Sequence, residues 1–169
     1  MKNNIFDTQF WKTRLAEAKK IGLLEHAIGQ GFNFTMIDEV HREIVNREIS
    51  PIRHAEDKVL DIGCGIGRIS GWFTDKQYCG IDFVKEFIEI AQQKYPNKKF
   101  ILGDIRNLPF EDNQFEWGIL ISMKGMIIRE MGQDVWDKIQ EELKRVCKKL
   151  LVLEYGNNKK EEVEKYEII

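Results

Sequence analysis

The chain has 169 residues, of which 43% are hydrophobic and 32% charged, the balance of a globular protein with enough apolar side chains for one sizeable core. Its net charge is −2, with lysines and arginines set among acids as in "KKEEVEK", which argues against whole-chain disorder and against a nucleic-acid footprint. Nothing approaches about 18 uninterrupted apolar residues, and the opening "MKNNIFDTQFWKTR" has no signal-peptide core, so neither a membrane span nor a leader is expected.

The first elements read as helices. "TQFWKTRLAEAKKIG" places Phe10, Trp11, Leu15 and Ala18 near helical period, with Gly22 as a stop signal. A loop, "AIGQGFN", follows. "TMIDEVHREIVNREIS" then sets Met36, Ile37, Val40, Ile44 and Val45 on one face. Thr35 with Asp38 resembles a capping box, and Pro51 ends the element. The texture changes near "NREISPIRHAEDK", so residues 1–57 are read as an N-terminal helical extension or lid, and residues 58–169 as the core of a single domain.

From Lys58 onward strands and helices alternate. "KVLDI" is the first strand, and "GRISGWFTD" is read as a helix weakened by Gly71. "YCGID" is the second strand. "VKEFIEIAQQKY" is a helix with Val84, Phe87, Ile88 and Ala91 inward, stopped by Pro96. "KFILGD" and "FEWGILIS" are the third and fourth strands. "QDVWDKIQEELKRVC" is a helix that turns Val135, Trp136, Ile139, Leu143 and Val146 inward, and "KLLVLEY" is the fifth strand. "KKEEVEKYEI" is read as the start of a last helix. Short strands that are apolar on both faces and separated by helices imply a parallel sheet covered on both sides. The expected fold is therefore α/β: a doubly wound, mostly parallel Rossmann-like sheet of about five strands.

Gly63, Gly65 and Gly67 in "VLDIGCGIGRIS" lie where the first strand ends. Glycine there permits positive φ and lets a ligand lie against bare backbone. A strand, a glycine turn and a following helix form a nucleotide-binding arrangement, but Arg68 stands where the dinucleotide fingerprint needs its third glycine. The spacing disfavours NAD and FAD, and no P-loop is present. Asp82 ends the second strand, 21 residues after Asp61, where a carboxylate can accept from two ribose hydroxyls. Asp104 ends the third, where it can meet a base edge.

Together, "VLDIGCGIGRIS", "GIDF" and "GDIRNLPFEDNQFEWGILIS" resemble the class I S-adenosylmethionine-dependent methyltransferase family over roughly residues 58–155. The resemblance implies S-adenosyl-L-methionine as cofactor. It implies that Asp61, Gly63, Cys64 and Gly65 border its methionine part, that Asp82 holds the ribose hydroxyls and that Phe83 packs on the adenine. Asp104 would meet the adenine amino group with Ile105 beside it, and Ser122 and Met123 would face the transferred methyl. The family usually has seven strands, the last two an antiparallel hairpin. Too few residues follow the fifth strand here for that, so "KLLVLE" is expected at a sheet edge. A homodimer through that edge, or cover by the N-terminal helices or the C-terminal tail, would protect it.

The acceptor side is less defined. "MKGMIIREMG" offers Met123, Met126, Met131, Ile127 and Ile128 as a packed helix or an adaptable apolar pocket wall. His26, His41, His54 and Glu154 are weighed as proton acceptors and Trp11 with Arg14 as a cap over the cofactor; Lys124, Arg129 and Glu130 stay ambiguous, and no catalytic residue is assigned. The family's Pro-Pro box and Pro-Cys nucleophile for DNA bases are absent, so a small-molecule acceptor is expected rather than nucleic acid. The alternatives are a non-catalytic cofactor-binding or regulatory module, or another S-adenosyl-dependent transferase. Cys64, Cys79 and Cys147 are odd in number and widely spaced, which favours reduced thiols over disulfides or a metal site and a cytoplasmic location.

Overall fold

The computed structural model of the chain describes residues 6–24, 34–49, 57–154 and 166–169. Its elements are α1 (Thr8–Ile21), α2 (Phe34–Ile49), β1 (Val59–Ile62), β2 (Tyr78–Asp82), α3 (Lys85–Lys94), β3 (Lys99–Leu102), β4 (Phe115–Ile121), α4 (Lys124–Met131), α5 (Gln133–Val146), β5 (Cys147–Leu153) and β6 (Tyr166–Ile168). Six strands form one sheet in the order β3-β2-β1-β4-β5-β6. β1 pairs in parallel with β2 and β4, β2 with β3, and β4 with β5. Only β6 runs antiparallel, beside β5.

Side chains of a strand alternate between faces, and here both faces are dry. Leu60 and Ile62 of β1 and Leu150 and Val152 of β5 bury against Trp136, Ile139, Leu143 and Val146 of α5. Val59, Ile119, Leu151 and Leu153 point the other way, into a cluster with Ile37, Val40, Ile44 and Val45 of α2 and Ile88 and Ala91 of α3. The expected inward faces of α2, α3 and α5 are thus the buried ones. α1 begins at an Asp7 cap whose side chain accepts from the Gln9 N–H and ends at Gly22, φ 71°. Its Leu15 and Ala18 pack on Ile66, Val84 and Phe87, so α1 lies against the glycine turn and the start of α3.

Three expectations are corrected. The segment after the glycine turn is a series of turns with a 3-10 stretch at Ser70–Trp72, not an α-helix; Gly67 at φ 79° breaks the helical path, and Gly71 adds no propensity. The sheet has six strands: the described end of "KKEEVEKYEI" is a strand rather than a helix, so one antiparallel strand follows the fifth. β5 is therefore no open edge: the C-terminal tail, one of the expected routes, covers it. Leu151, Val152 and Leu153 pair with Ile168, Glu167 and Tyr166, and Leu150 exchanges two 2.9 Å backbone hydrogen bonds with Ile169. β6 is held from both sides, by Tyr166 Oη donating to Glu48 on α2 (2.6 Å) and by the Lys124–Glu167 ion pair (2.5 Å). The loop "AIGQGFN", Pro51, His26, His54, all of "KKEEVEK" and the Thr35 side chain lie outside the described residues.

Candidate functional site

The site is assembled at the carboxyl ends of β1, β2 and β4, neighbours in the sheet. Gly63, Gly65 and Gly67 have φ of 68°, 53° and 79°, the left-handed region that disfavours any side chain. A Cβ on Gly63 would also overlap the Sδ of Met123, and one on Gly67 would come within 2.9 Å of the Phe100 ring. The turn from β1 therefore meets the residue after β4 on one side and the aromatic core on the other.

Asp82 ties this turn to β2. One carboxylate oxygen accepts from the Gly65 N–H and the other from the Val84 N–H, each at 2.9 Å. Asp82 is 8% exposed, and burial raises its pKa to about 6 despite backbone bonds from Val84, Gly65 and Phe83 that favour the anion. A carboxylate offers about four acceptor positions, so capacity remains for ligand hydroxyls.

Asp61 lies under the turn on the α2 face, buried, and accepts from the Tyr78 hydroxyl at 2.6 Å. Burial raises it to about 7, opposed by the Tyr78 hydrogen bond and the charge of Arg68. Cys64 is buried beside it, and burial pushes its thiol well above the ordinary range.

Phe83 meets Phe6 edge-on with centroids 6.1 Å apart, and the Arg106 guanidinium sits 4.4 Å over the Phe6 ring. β3 ends at Leu102, two residues before Asp104, which instead bridges to Asn107. The Asp104 carboxylate is paired with Arg106 through contacts of 2.5–3.0 Å, which holds its pKa below the usual carboxylate value. Ile105 is buried in the α5-side core. Ser122 follows β4 at φ 58°, strained for a residue with a Cβ; its N–H donates to Leu153 O at 2.7 Å. Its buried hydroxyl has no hydrogen-bond partner among the described residues.

The structure thus brings Asp61, Gly63, Cys64, Gly65 and Asp82 together at one turn, with Phe83 next to Asp82 and Ser122 at the neighbouring strand end. Asp104 follows Gly103, whose N–H donates to Asp82 O at 2.9 Å, and its half-buried carboxylate is engaged with Arg106. Sequence reasoning missed Tyr78, Phe6 and the use of Arg68. Nothing in the sequence marks Tyr78 or Phe6. Arg68 read only as an obstruction, yet it turns toward α2, pairing with Asp38 at 2.6 Å and lying 3.2 Å from His41 Nδ1.

That contact settles what His41 does. Arginine only donates, so Nδ1 accepts from Arg68 and Nε2 carries the proton toward Glu154 O at 3.3 Å. His41 is fully buried, and burial lowers its pKa to about 4. Both ring nitrogens are occupied. The Glu154 carboxylate accepts from the Gly125 N–H at 3.1 Å at the start of α4, and burial raises its pKa. Trp11 packs edge-on against Phe87, and Arg14 stacks at 5.9 Å over Phe10 and Trp11.

A glycine turn closed by a buried carboxylate at adjoining parallel strand ends is the place where Rossmann-like sheets take nucleoside cofactors. Residues 59–149, more than half of the 169, match the family described as "Methyltransferase domain", and the chain belongs to that family. The family implies S-adenosylmethionine as the cofactor. The chain is 30% identical over 117 residues to phthiotriol/phenolphthiotriol dimycocerosates methyltransferase 1 of Mycobacterium ulcerans, covering 62% of this chain and 43% of that protein. It is 30% identical over 103 residues to demethylmenaquinone methyltransferase of Thermotoga maritima, covering 59% and 42%. The chain thus spans less than half the length of these curated relatives. A putative S-adenosyl-L-methionine-dependent methyltransferase from Methanococcus maripaludis shares the fold over 96% of this chain and 70% of that one, with a TM-score of 0.62 at 20% identity. A SAM-dependent methyltransferase from Methanosarcina mazei matches 65% of this chain and 57% of its own at 26% identity, with a TM-score of 0.55.

Proposed function

We propose that the chain transfers the methyl group of S-adenosylmethionine to a small-molecule acceptor. The observation that carries this reading is the left-handed glycine turn held by Asp82, in a chain of the methyltransferase domain family. We assign Asp61, Gly63, Cys64 and Gly65 to the methionine end of the site, Asp82 to the ribose hydroxyls and Phe83 to the adenine face. Asp104 and Ile105 belong to the far edge of the base, where Arg106 must yield part of the Asp104 carboxylate for it to reach an amino group. Ser122 and Met123 belong to the methyl end. The described helices α1 and α2 of the N-terminal region act as an extension on this core, with α1 packed beside the turn.

When bound, the cofactor supplies an electrophilic sulfonium methyl. The protein's part is to hold an acceptor in line with it and to exclude water. The partly buried side chains of Met123, Met126, Met131 and Ile128 join the α5-side core and are a fitting wall for an apolar acceptor. The relatives quoted above are named for methylation of phthiotriol/phenolphthiotriol dimycocerosates and of demethylmenaquinone, names that favour an apolar small-molecule acceptor over nucleic acid. Of the residues weighed as proton acceptors, His41 has no ring nitrogen to offer, and Glu154 lies where β4 and β5 end. No helix among the described residues is long and apolar enough to cross a membrane. The three buried free cysteines support a reducing, cytoplasmic setting.

The test is a labelled-methyl screen of a cell extract with the purified chain. Label in a small-molecule product supports transfer. Saturable cofactor binding with no labelled product supports a binding or regulatory module instead. Labelled nucleic acid would contradict the acceptor class.

A further inference from the structure

The α2 face of the sheet carries a buried polar group that the cofactor reading does not use. Tyr78 opens β2, far from the strand ends where a ligand lies, and is 2% exposed. Its ring packs between Phe73 and Phe100, and its hydroxyl reaches up the sheet to donate to Asp61 at 2.6 Å. Asp61 lies two residues before Gly63 and is 4% exposed. The charge of Arg68, anchored on Asp38 and His41 of α2, also bears on it.

A buried carboxylate is costly unless donors and opposite charges compensate it. The Tyr78 hydrogen bond and the charge of Arg68 offset part of that cost, and Tyr78 fixes the carboxylate at the end of β1, two residues before Gly63. An anion there favours a ligand carrying a positive charge above it. S-adenosylmethionine carries one more positive charge, at sulfur, than its demethylated product.

We propose that Tyr78 and Arg68 are positioning residues that hold the Asp61 carboxylate under the glycine turn as the counter-charge by which the site prefers the sulfonium cofactor to its neutral-sulfur product. This rests on the cofactor reading above. The groups that bear on Asp61 are Tyr78 and Asp82 of β2 and Arg68 beyond the turn; the Cys64 thiol also senses its charge from the turn, and the Cys79 thiol from β2. Burial pushes Asp61 up to about 7. Binding of the cation therefore favours ionised Asp61, and the proton leaves to solvent.

The test is calorimetry of S-adenosylmethionine and S-adenosylhomocysteine against the wild-type chain, Tyr78→Phe and Asp61→Asn between about pH 5.5 and 8.5. The two ligands share an ammonium and a carboxylate, so their affinity ratio reports the sulfonium once the ammonium titration of each free ligand, lower in the sulfonium, is measured and divided out. In the wild type the ratio should rise with pH through about 7 and then level. Tyr78→Phe removes a donor to the anion and should move that rise up by about one pH unit, a loss of about fivefold in the ratio at pH 7 with the same plateau at high pH. Asp61→Asn keeps an acceptor for Tyr78, so it tests the charge even if Tyr78→Phe folds poorly; it should flatten the ratio. Equal weakening of both ligands at every pH in Tyr78→Phe, or a wild-type ratio independent of pH, would overturn the proposal. Failure of both ligands to bind the wild type would overturn the cofactor reading itself, and is seen before any variant is made.

Discussion

Replacing Asp82 by alanine separates what this carboxylate does for the fold from what it does for the ligand. In the folded chain it accepts from the Gly65 and Val84 N–H groups, each at 2.9 Å. Alanine leaves both donors unpaired, at about 1–3 kcal/mol each. It also relieves a buried charge whose pKa is raised to about 6, a rise above the ordinary value worth about 3 kcal/mol at neutral pH. Two donors at about 1–3 kcal/mol each against about 3 kcal/mol relieved leave a net change from about −1 to about 3 kcal/mol, and each kcal/mol of destabilisation lowers Tm by about 2–4 °C in a domain of this size. Nothing offsets the loss on the ligand side. Hydrogen bonds to a charged acceptor contribute about 1.5–3 kcal/mol, which is about a 10- to 150-fold loss of cofactor affinity. Asp82→Asn keeps one acceptor oxygen but turns an amide donor toward the Gly65 or Val84 N–H, so it should lose less affinity and no less stability. Calorimetry with S-adenosylhomocysteine, beside urea denaturation of the same samples, reads both numbers. A folded alanine variant that binds the ligand as tightly as the wild type would remove Asp82 from the site.

Gly67→Ala, at φ 79° and with a Cβ 2.9 Å from Phe100, should destabilise by about 2 kcal/mol or more, read as a drop in the urea midpoint. Asp61 has a folded pKa raised to about 7, so the folded state holds more protons than the unfolded one, and its contribution to stability falls as pH rises between about 4 and 7. Asp61→Asn should therefore gain stability relative to the wild type across that window in paired denaturation curves. His41 works in the opposite sense: its pKa is lowered to about 4, so its contribution is complete above about 6.5 and is lost as pH falls toward 4. Replacing it by leucine should weaken the acid dependence of the urea midpoint. Deleting residues 166–169 uncovers the ladder of β5 and should give concentration-dependent association in light scattering.

The sheet, its parallel strands and the inward faces of α2, α3 and α5 were legible because burial on two sides leaves apolar runs and helical periods in the sequence. Leu150 to Leu153 read as a strand for that reason, and the alternation of Leu151 and Leu153 against Leu150 and Val152 explains why all four are apolar. β6 was not legible. "YEII" is too short to carry a period, and it becomes a strand only because β5 offers unpaired backbone. The stretch after Gly67 resembles a helix in composition, but the left-handed glycine redirects the chain. At the site, the glycines and Asp82 could be read because turn geometry and strand-end position constrain residue type. Tyr78 and Arg68 could not, because their roles depend on contacts across the sheet, to Asp61 and to α2, that only the fold creates. Asp104 was placed at a strand end, while the structure gives it to Arg106 two residues beyond β3.

On the function proposed above, the turn bounded by Gly63 and Gly67 and closed by Asp82 holds S-adenosylmethionine. A crystal structure of the chain with S-adenosylhomocysteine tests it most directly. Both ribose hydroxyls should lie within hydrogen-bond distance of the Asp82 carboxylate, with the base against Phe83 and the amino-acid end over the turn. A ligand bound elsewhere, or one that leaves Asp82 bonded only to its backbone donors, would contradict it.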